Sequence, residues 1–173
     1  MNVMKKLIQY SFWFLLLVFA VSCKKTEGFN SLSDNRPDIP VTVANAYDYL
    51  PAPTIRASKA ENKITITLQI PEASGTKIKE ITKIAASTTA NYTAIYSGTA
   101  VGTGTSQLWS NTPIPVNGLS YTFNTTFDEY KTKTAGTTTP GSNAFLNRDF
   151  YFLVTLDNGQ TIIPMYTRVW VVD

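Results

Sequence analysis

The amino-acid sequence predicts an all-β domain, arranged as an antiparallel sandwich of two sheets and preceded by an export signal. Three observations support this prediction. Apolar and polar residues alternate with a period of two in several segments, which is typical of half-buried strands. Turn residues, chiefly Gly, Pro, Asn and Asp, separate these segments. The threonine-rich body is about 120 residues long, which is the length of one ordinary domain.

Residues 1–22 have the composition of a secretory signal peptide. Lys5 and Lys6 come first, and the apolar run FWFLLLVFAVS follows at 12–22. This run is shorter than the ~20 apolar residues that a transmembrane helix requires. The segment therefore predicts export rather than a membrane-spanning helix.

The stretch AVSC at 20–23 resembles a bacterial lipobox, the motif cut by the lipoprotein signal peptidase, with Ala20 where Leu is commonest. The resemblance implies that Cys23 becomes the first mature residue and carries acyl chains that anchor the protein in a membrane. The alternative is a secretory signal without lipid. Because Cys23 is the single cysteine, no disulfide framework is predicted for the exported chain.

The lipidated N-terminus is predicted to continue as a flexible tether over residues 23–52. Prolines interrupt this segment, and it has no sustained apolar period apart from a short predicted strand, VTV, at 41–43. A tether of this length would hold a domain clear of the lipid headgroups. The folded domain is predicted to span residues 53–173.

Three segments of this domain alternate clearly and are predicted strands: ENKITITLQIP, GLSYTFNT and RDFYFLVTL. The residues predicted to face the core are Ile64, Ile66, Leu68 and Ile70 in the first, Leu119, Tyr121 and Phe123 in the second, and Phe150, Phe152, Val154 and Leu156 in the third. After the third strand, Asn158-Gly159 predicts a tight hairpin, because both residues tolerate positive φ. Pro164 has no N–H and predicts that the last strand changes its pairing midway.

Two further segments lack this clear alternation. TKIKEITKIAAS places Ile78, Ile81 and Ile84 three residues apart, a spacing that suits a helix. A strand with a bulge is preferred, because the segment is short and lies between strands. A short helical turn is predicted at TFDEYKTK, residues 126–133.

About seven strands separated by turn signals are typical of an immunoglobulin or fibronectin type sandwich. The predicted strands are 53–57, 64–70, 78–86, 91–96, 119–125, 148–156 and 161–172.

The chain also resembles the small lipoproteins that bacteria of the Bacteroidetes lineage carry beside their outer-membrane nutrient-uptake systems. The resemblance rests on AVSCKK, on the threonine-rich body and on the closing segment FYFLVTLDNGQTIIPMYTRVWVVD, of which only the lipobox-like part is a specific motif. It implies a lipid-anchored location in the cell envelope, with the outer membrane favoured, and an immunoglobulin-like fold. It implies no particular activity.

The composition excludes several kinds of chemistry. The chain has no histidine, which removes Ser-His-Asp and Cys-His nucleophiles and histidine-ligated zinc. The glycines of GTAVGTGTSQ lack a following Gly-Lys-Ser/Thr, so this segment is predicted to be an ordinary loop. The formal net charge is +3, and removing the two lysines of the signal segment leaves +1, so no nucleic-acid partner is predicted. No cofactor is predicted either.

Carboxylates remain as candidates for glycoside hydrolysis or metal binding. Asp128 and Glu129 are adjacent, and Asp149 and Asp157 flank the third clear strand. Nothing in the sequence brings two of them to the separation that a glycosidase needs. The oxygen ligands in the loops SDNRPD and LDNG lack the spacing of an EF-hand. These acids are interpreted as solvated charges, and no metal site is predicted.

Aromatic rings suggest a glycan partner as one hypothesis, because exposed Trp and Tyr stack on sugar rings. Trp170 alternates with two valines and is predicted to lie in the core, whereas Trp109 suits core and ligand platform equally. The longest connections, at 97–107 and 130–145, are predicted to be mobile and to meet at the membrane-distal end. The contact residues predicted at this tip are Trp109, Tyr130, Lys131 and Lys133. The alternative is that both loops are spacers without a partner.

Three functional hypotheses follow. The first is a non-enzymatic envelope lipoprotein that acts as a binding or accessory module, with a protein or a glycan as its partner. The second is a structural or adhesive domain whose exposed sheet edge pairs with another protein. The third, which the sequence favours least, is a glycoside hydrolase that uses carboxylates.

Overall fold

The structure is a computed structural model that describes residues 37–87, 92–102, 108–134 and 146–172. Cys23, the predicted signal segment and much of the two long connections lie outside these residues. The described part is mostly β-structure, with nine strands, two short α-helices and one 3₁₀ turn at Glu72–Ser74. In chain order the elements are β1 (Thr42–Val43), β2 (Thr54–Ser58), β3 (Ile64–Gln69), β4 (Ile78–Ser87), α1 (Tyr92–Ser97), β5 (Ile114–Gly118), β6 (Ser120–Thr125), α2 (Phe127–Thr134), β7 (Leu146–Leu156), β8 (Thr161–Ile162) and β9 (Thr167–Val172).

The smaller of two sheets has three antiparallel strands in the order β1-β3-β6. Ile66 lies opposite Phe123 and Leu68 lies opposite Tyr121, so the apolar positions of both strands share one face. The isoleucines and the leucine of β3 are buried, while its threonines are only partly covered. The predicted alternation of these two strands is therefore confirmed.

The larger sheet has six strands, in the order β2-β9-β7-β4-β5 with β8 also paired to β7. Its strands are antiparallel except for β2 and β9, which are parallel. An entirely antiparallel sandwich was expected, so this pair is a correction. No hairpin joins β2 to β9, and a distant pair is free to adopt either direction. The observed register sets Ile55 beside Val169 and Ala57 beside Val171, all on the buried face.

One hydrophobic cluster contains side chains from both sheets, so the sheets enclose a common core. The ring centroids of Phe123 and Phe152, one from each sheet, are 5.7 Å apart. The predicted core face of β7 is confirmed, because Phe150, Val154 and Leu156 are 0% exposed and Phe152 is 1% exposed. A second, smaller cluster lies on the opposite face of β7, under α1. It contains Ala85, Ala94, Ile95, Leu108 and Tyr151.

Strand β4 confirms the prediction of a strand with a bulge. Its pairing with β7 shifts register between Ile78 and Glu80, and again between Ile81 and Lys83. Each shift inserts one residue into the two-residue repeat, so residues three apart return to the same face. Ile78, Ile81 and Ile84 are accordingly all buried in the core between the sheets.

The predicted strand at 91–96 is wrong, because the chain forms helix α1 there. Ala94 and Ile95 are buried against Tyr151 on the outer side of the larger sheet. The helix ends where the N–H of Gly98 donates to the carbonyl oxygen of Ala94 at 2.9 Å. Docking on the sheet favours the helix, which six residues of sequence do not specify by themselves.

Strand β5 was not predicted, because IPVNG contains a proline and follows another. Pro115 has no N–H to donate, yet β5 lies at the edge of the larger sheet and needs donors on one side only. The predicted last strand at 161–172 is divided into β8 and β9, and Pro164 lies between them. Both halves pair with β7, at different ends, so the predicted change of pairing is confirmed.

Residues 37–52 pack on the domain body, although the domain was expected to begin at 53. β1 pairs with β3, Val43 is 1% exposed and Ala52 is 0% exposed. Ile39, Val41 and Ala46 pack against the core as well. These contacts correct the predicted tether in this part, whereas the predicted short strand at 41–43 is confirmed. The apolar residues here are too irregularly spaced to produce a period in the sequence.

Helix α2 confirms the helical turn predicted at 126–133. The hydroxyl of Thr126 accepts the backbone N–H of Glu129 at 3.0 Å, which caps the helix at its N-terminus. The amide oxygen of Asn62 accepts the N–H of Phe127 at 3.1 Å and ties the helix to the loop before β3. Within the described residues, no helix is long and apolar enough to cross a membrane.

Candidate ligand-binding face

The residues predicted to form a contact tip do not form one in the described chain. Trp109 is 6% exposed and Tyr130 is 0% exposed, so both belong to the core. Their ring centroids are 6.2 Å apart, and Trp109 lies 5.7 Å from Phe150 by the same measure. A ring this deeply buried cannot contact a partner without unfolding of its surroundings. The prediction of these two residues as contacts is therefore corrected.

The two predicted lysines lie on the outer side of α2. Lys131 is exposed. The Nζ of Lys133 lies 3.2 Å from a carboxylate oxygen of Glu129 and 4.7 Å from the ring centroid of Trp109. Lys133 thus covers the edge of the core and is engaged by its own helix. The remainder of the predicted contact loop lies outside the described residues.

The four candidate carboxylates are held by separate partners. Asp128 accepts the side-chain N–H of Asn62 at 2.7 Å, and Glu129 accepts the hydroxyl of Thr125 at 2.7 Å. The other two belong to different places: Asp157 accepts the hydroxyl of Thr76 at 2.6 Å, and Asp149 pairs with Arg168. In the described parts of the chain, no group of three or more acidic or cysteine side chains is placed to hold a metal ion.

A different surface, on the outer side of the larger sheet, collects aromatic rings and arginines. Residues alternate across β2 and β9, so Ile55 and Val169 enter the core while their neighbours point outward. Arg56 and Trp170 are direct cross-strand partners on this outer side. We define the arginine–aromatic face by five residues: Tyr47, Arg56, Tyr166, Arg168 and Trp170.

Arg56 contacts two rings of this face. Its Cζ lies 3.6 Å from the ring centroid of Tyr47 and 5.8 Å from that of Trp170. Tyr47 is held above β2 by the backbone, because its N–H donates to the carbonyl oxygen of Thr54 at 2.7 Å. Cation–π contacts of this kind contribute ~0.5–1 kcal/mol at exposed sites. The guanidinium of Arg56 is therefore restrained at the surface, although its residue is exposed.

Arg168, two residues before Trp170, forms an ion pair with the buried side chain of Asp149. Its Nε lies 3.4 Å from Oδ1 of Asp149, and its Nη2 donates to the hydroxyl of Tyr166 at 3.1 Å. Burial raises the pKa of Asp149, and Arg168 opposes that effect. The charge of Arg168 is thus largely compensated by its own neighbour.

Tyr166 connects the face to α1. The ring centroids of Tyr92 and Tyr151 are 5.1 Å apart, and the backbone N–H of Tyr166 donates to the hydroxyl of Tyr92 at 3.3 Å. Tyr96, at the end of this helix, is 79% exposed and is not one of the five residues of the face. The outer side of the larger sheet thus carries aromatic rings both in the face and beside α1.

This arrangement supplies groups that can bind a ligand. Aromatic rings offer flat apolar faces, and guanidinium groups offer several N–H donors in one plane. Within the described residues, no carboxylate lies within the 4.0 Å ion-pair distance of Arg56. The face can thus stack against a planar or ring-shaped ligand and donate hydrogen bonds to an anionic group.

Sequence reasoning missed four of the five residues of this face. Trp170 was considered, but as core; it is half-buried and points outward, while Val169 and Val171 enter the core. A usable signal was present, because Arg56 alternates with Ile55 and Ala57 in the same way. Which strands lie side by side could not be read from this signal.

Comparison with protein-family models, with curated proteins and with solved structures found no match. The function proposed below therefore rests on the chemistry of the arginine–aromatic face and on the N-terminal sequence.

Proposed function

We propose that the chain is a non-enzymatic lipoprotein of the cell envelope, whose domain acts as a binding or accessory module through the arginine–aromatic face. The observation that carries this proposal is an exposed guanidinium in contact with two aromatic rings on a rigid sheet. Conformational order reduces the entropy lost on binding. Surfaces rich in Tyr, Trp and Arg are those in which binding energy concentrates.

The fold also supports a proposal about the type of domain. Two sheets share one core, and the second strand, β2, lies beside the last strand, β9. We propose on this basis that the domain is an immunoglobulin-like sandwich. Together with the lipobox-like AVSC, this arrangement supports a role beside an outer-membrane nutrient-uptake system.

The anchor is tested by the Cys23→Ser substitution. If acyl chains on Cys23 hold the protein, the variant leaves the membrane fraction and appears in the soluble envelope fraction. Cell fractionation followed by immunoblotting measures this distribution. A variant that stays with the membrane, as the native chain does, contradicts the lipid anchor.

The binding role is tested on a glycan array and against purified envelope proteins, with variants of two exposed tyrosines. Tyr47→Ala removes a ring of the face that is 59% exposed, and Tyr96→Ala removes one outside it that is 79% exposed. We expect any ligand of the native chain to bind Tyr47→Ala about tenfold more weakly and Tyr96→Ala unchanged. Equal binding by both variants would place the contact elsewhere.

A structural or adhesive role is the alternative, and β6 is the element that favours it. This strand lies at the edge of the smaller sheet, and Ser120, Thr122 and Asn124 are exposed along it. Such an edge can add a strand from another protein. Thr122→Pro would block strand addition while leaving the arginine–aromatic face intact. Loss of a partner in this variant alone would favour the alternative.

A further inference from the structure

We propose that Arg56 is the anion-binding group of this face and that it receives the carboxylate of an acidic polysaccharide, such as a polyuronate. The inference rests on the proposed function and names the ligand class of the same face. Four features carry it: the stacking of Arg56, its uncompensated charge, the covered start of β2 and the exposed rings nearby.

Stacking leaves the hydrogen-bond donors of Arg56 available. The 3.6 Å between its Cζ and the ring centroid of Tyr47 is a van der Waals separation, with the guanidinium carbon above the ring. The N–H donors of a guanidinium lie in its plane, so a ring below that plane does not consume them. Because Arg56 is exposed, a carboxylate from solvent can accept two of these donors in parallel.

The charge of Arg56 has no acid to compensate it in the described chain. Asp149 pairs with Arg168. Oδ1 of Asp48, next to Tyr47, accepts the backbone N–H groups of Tyr49 and Leu50 at 2.6 and 3.2 Å. Neither acid forms an ion pair with Arg56, so its guanidinium can attract an external anion.

The backbone disfavours an extended peptide as the ligand. A peptide that added to the edge of β2 would need the main-chain groups of Thr54. The N–H of Thr54 donates to the carbonyl oxygen of Asp48 at 2.7 Å, and its carbonyl oxygen accepts the N–H of Tyr47 at 2.7 Å. The start of this edge is therefore already paired.

The exposed rings of the segment that crosses the start of β2 favour a sugar. Tyr47 is 59% exposed and Tyr49 is 53% exposed, and both belong to the segment that crosses the start of β2. A pyranose ring presents C–H groups on its flat faces, which pack on aromatic rings, while a carboxylate on its rim would reach the guanidinium. An acidic polysaccharide supplies both groups in one repeating unit.

The test compares two polymers with the same sugar backbone, one with charged and one with neutral carboxyl groups: polygalacturonate and its fully methyl-esterified form. Binding of each to the intact native protein in detergent is measured by isothermal titration calorimetry. Arg56→Gln removes the cation, Arg56→Lys keeps the charge without the planar fork, and Lys131→Gln removes an exposed cation elsewhere as the matched control. Thermal unfolding of each variant verifies that the fold is retained.

We expect the native chain to bind polygalacturonate about tenfold or more tightly than the ester. Arg56→Gln should abolish that preference, Arg56→Lys should retain part of it, and Lys131→Gln should behave as the native chain does. If both polymers bind equally and Arg56→Gln changes neither affinity, the inference is wrong while the binding module stands. If neither polymer binds, the inference is also wrong, and the proposed function fails only when the glycan array and the envelope proteins give no ligand.

Polyglutamate is the third probe, because it carries carboxylates without sugar rings. We expect it to bind at least tenfold more weakly than polygalacturonate. Equal, Arg56-dependent binding of polyglutamate would overturn the assignment to a polysaccharide and favour an acidic peptide.

Discussion

At the scale of single residues, adjacent side chains of one strand serve opposite faces. Arg148 is 4% exposed on the core side of β7, with its Cζ 5.6 Å from the ring centroid of Tyr130. Asp149, the next residue, points to the outer side and pairs with Arg168. Burial lowers the pKa of Arg148 and raises the pKa of Asp149. A pair of neighbouring charges in the sequence thus does not form a site, because a strand directs them apart.

The spacing of two aromatic residues in α2 predicts burial of Tyr130, although Tyr130 was predicted to be a contact residue. Phe127 and Tyr130 are three residues apart and therefore share one side of α2, the side that faces the core. Asp128 and Lys131 lie on the opposite, exposed side. In a helix of eight residues, two aromatic residues at this spacing indicate the buried side more reliably than they indicate a ligand platform.

Phe152→Ala is the test of the core between the sheets. Phe152 is 1% exposed and its ring centroid lies 5.7 Å from that of Phe123. Removal of the ring leaves a cavity, and we expect the free energy of unfolding to fall by ~3–5 kcal/mol. Urea denaturation measures this change. The exposed Tyr96→Ala is the control and should change the stability by less than about 0.5 kcal/mol; a similarly small effect of Phe152→Ala would contradict its place in the core.

Asp157 predicts a pH dependence of stability. The hydroxyl of Thr76 donates to its Oδ1 at 2.6 Å, and this bond, with the backbone N–H of Lys77, lowers the pKa of Asp157 below its ordinary 3.8. Between the lowered pKa and 3.8, the folded state therefore binds fewer protons than the unfolded state. The stabilisation is therefore complete above pH 3.8 and is lost as the pH falls through the lowered value.

The matching experiment uses Asp157→Asn and Thr76→Val, which remove the acceptor charge and the donor. The free energy of unfolding of the native chain minus that of Asp157→Asn should shrink as the pH falls from about 6 to about 2.5. Thr76→Val should reduce this pH dependence as well. A difference that stays constant over the range would show that Asp157 is not stabilised as a carboxylate.

At the scale of elements, the hairpin between β7 and β8 is confirmed, with a loop one residue longer than the predicted tight turn. The N–H of Gly159 donates to the carbonyl oxygen of Leu156 at 3.0 Å, and the N–H of Leu156 donates to the carbonyl oxygen of Gln160 at 2.9 Å. Only Gly159 of the predicted pair has positive φ, at 85°. The loop is therefore a turn over residues 157–158 followed by a left-handed glycine, the common three-residue hairpin.

Gly159→Ala should cost about 1–3 kcal/mol, and Gly159→Val somewhat more, because the side chain resists positive φ. The cost is conformational and not steric, since no atom lies within 4 Å of a Cβ added at Gly159. Gly118→Ala is the control: its φ lies outside the left-handed region, and the nearest atoms would be 3.9 Å from the added Cβ. Urea denaturation of the three variants checks the prediction, and equal stabilities for both Ala variants would refute the turn.

At the scale of the whole molecule, the folded domain begins before residue 53. Val43 and Ala52 are buried, and β1 pairs with β3, whose other neighbour is β6. The segment 47–48 covers the start of β2 and also carries a ring of the arginine–aromatic face. The upstream segment thus contributes to the core and to the candidate site together.

A chain of residues 53–173 should therefore be less stable than a chain of residues 37–173. Burial of Val43 alone contributes about 1.5–3 kcal/mol, and its loss also exposes an edge of β3. We expect a lower urea midpoint and faster proteolysis for the shorter chain. Equal midpoints would mean that residues 37–52 pack without stabilising the domain.

The sequence alone determined those elements whose pattern is local. Strands β3, β6 and β7 and the core residues of each follow from alternation, because a strand with one buried face must repeat every two residues. The bulged β4, the helical turn at α2 and the hairpin at Gly159 likewise follow from residues close in the chain. The lipid attachment at Cys23 remains a prediction from sequence.

Only the tertiary structure decided which surfaces meet. The parallel pairing of β2 with β9 joins residues more than a hundred positions apart and sets Arg56 beside Trp170. The burial of Trp109 and Tyr130 also depends on how α2 and the loop before β5 close over the sheets. A periodic pattern states that a side chain has a partner on one face but not which segment supplies it, because that choice depends on the free energy of packing summed over the whole chain.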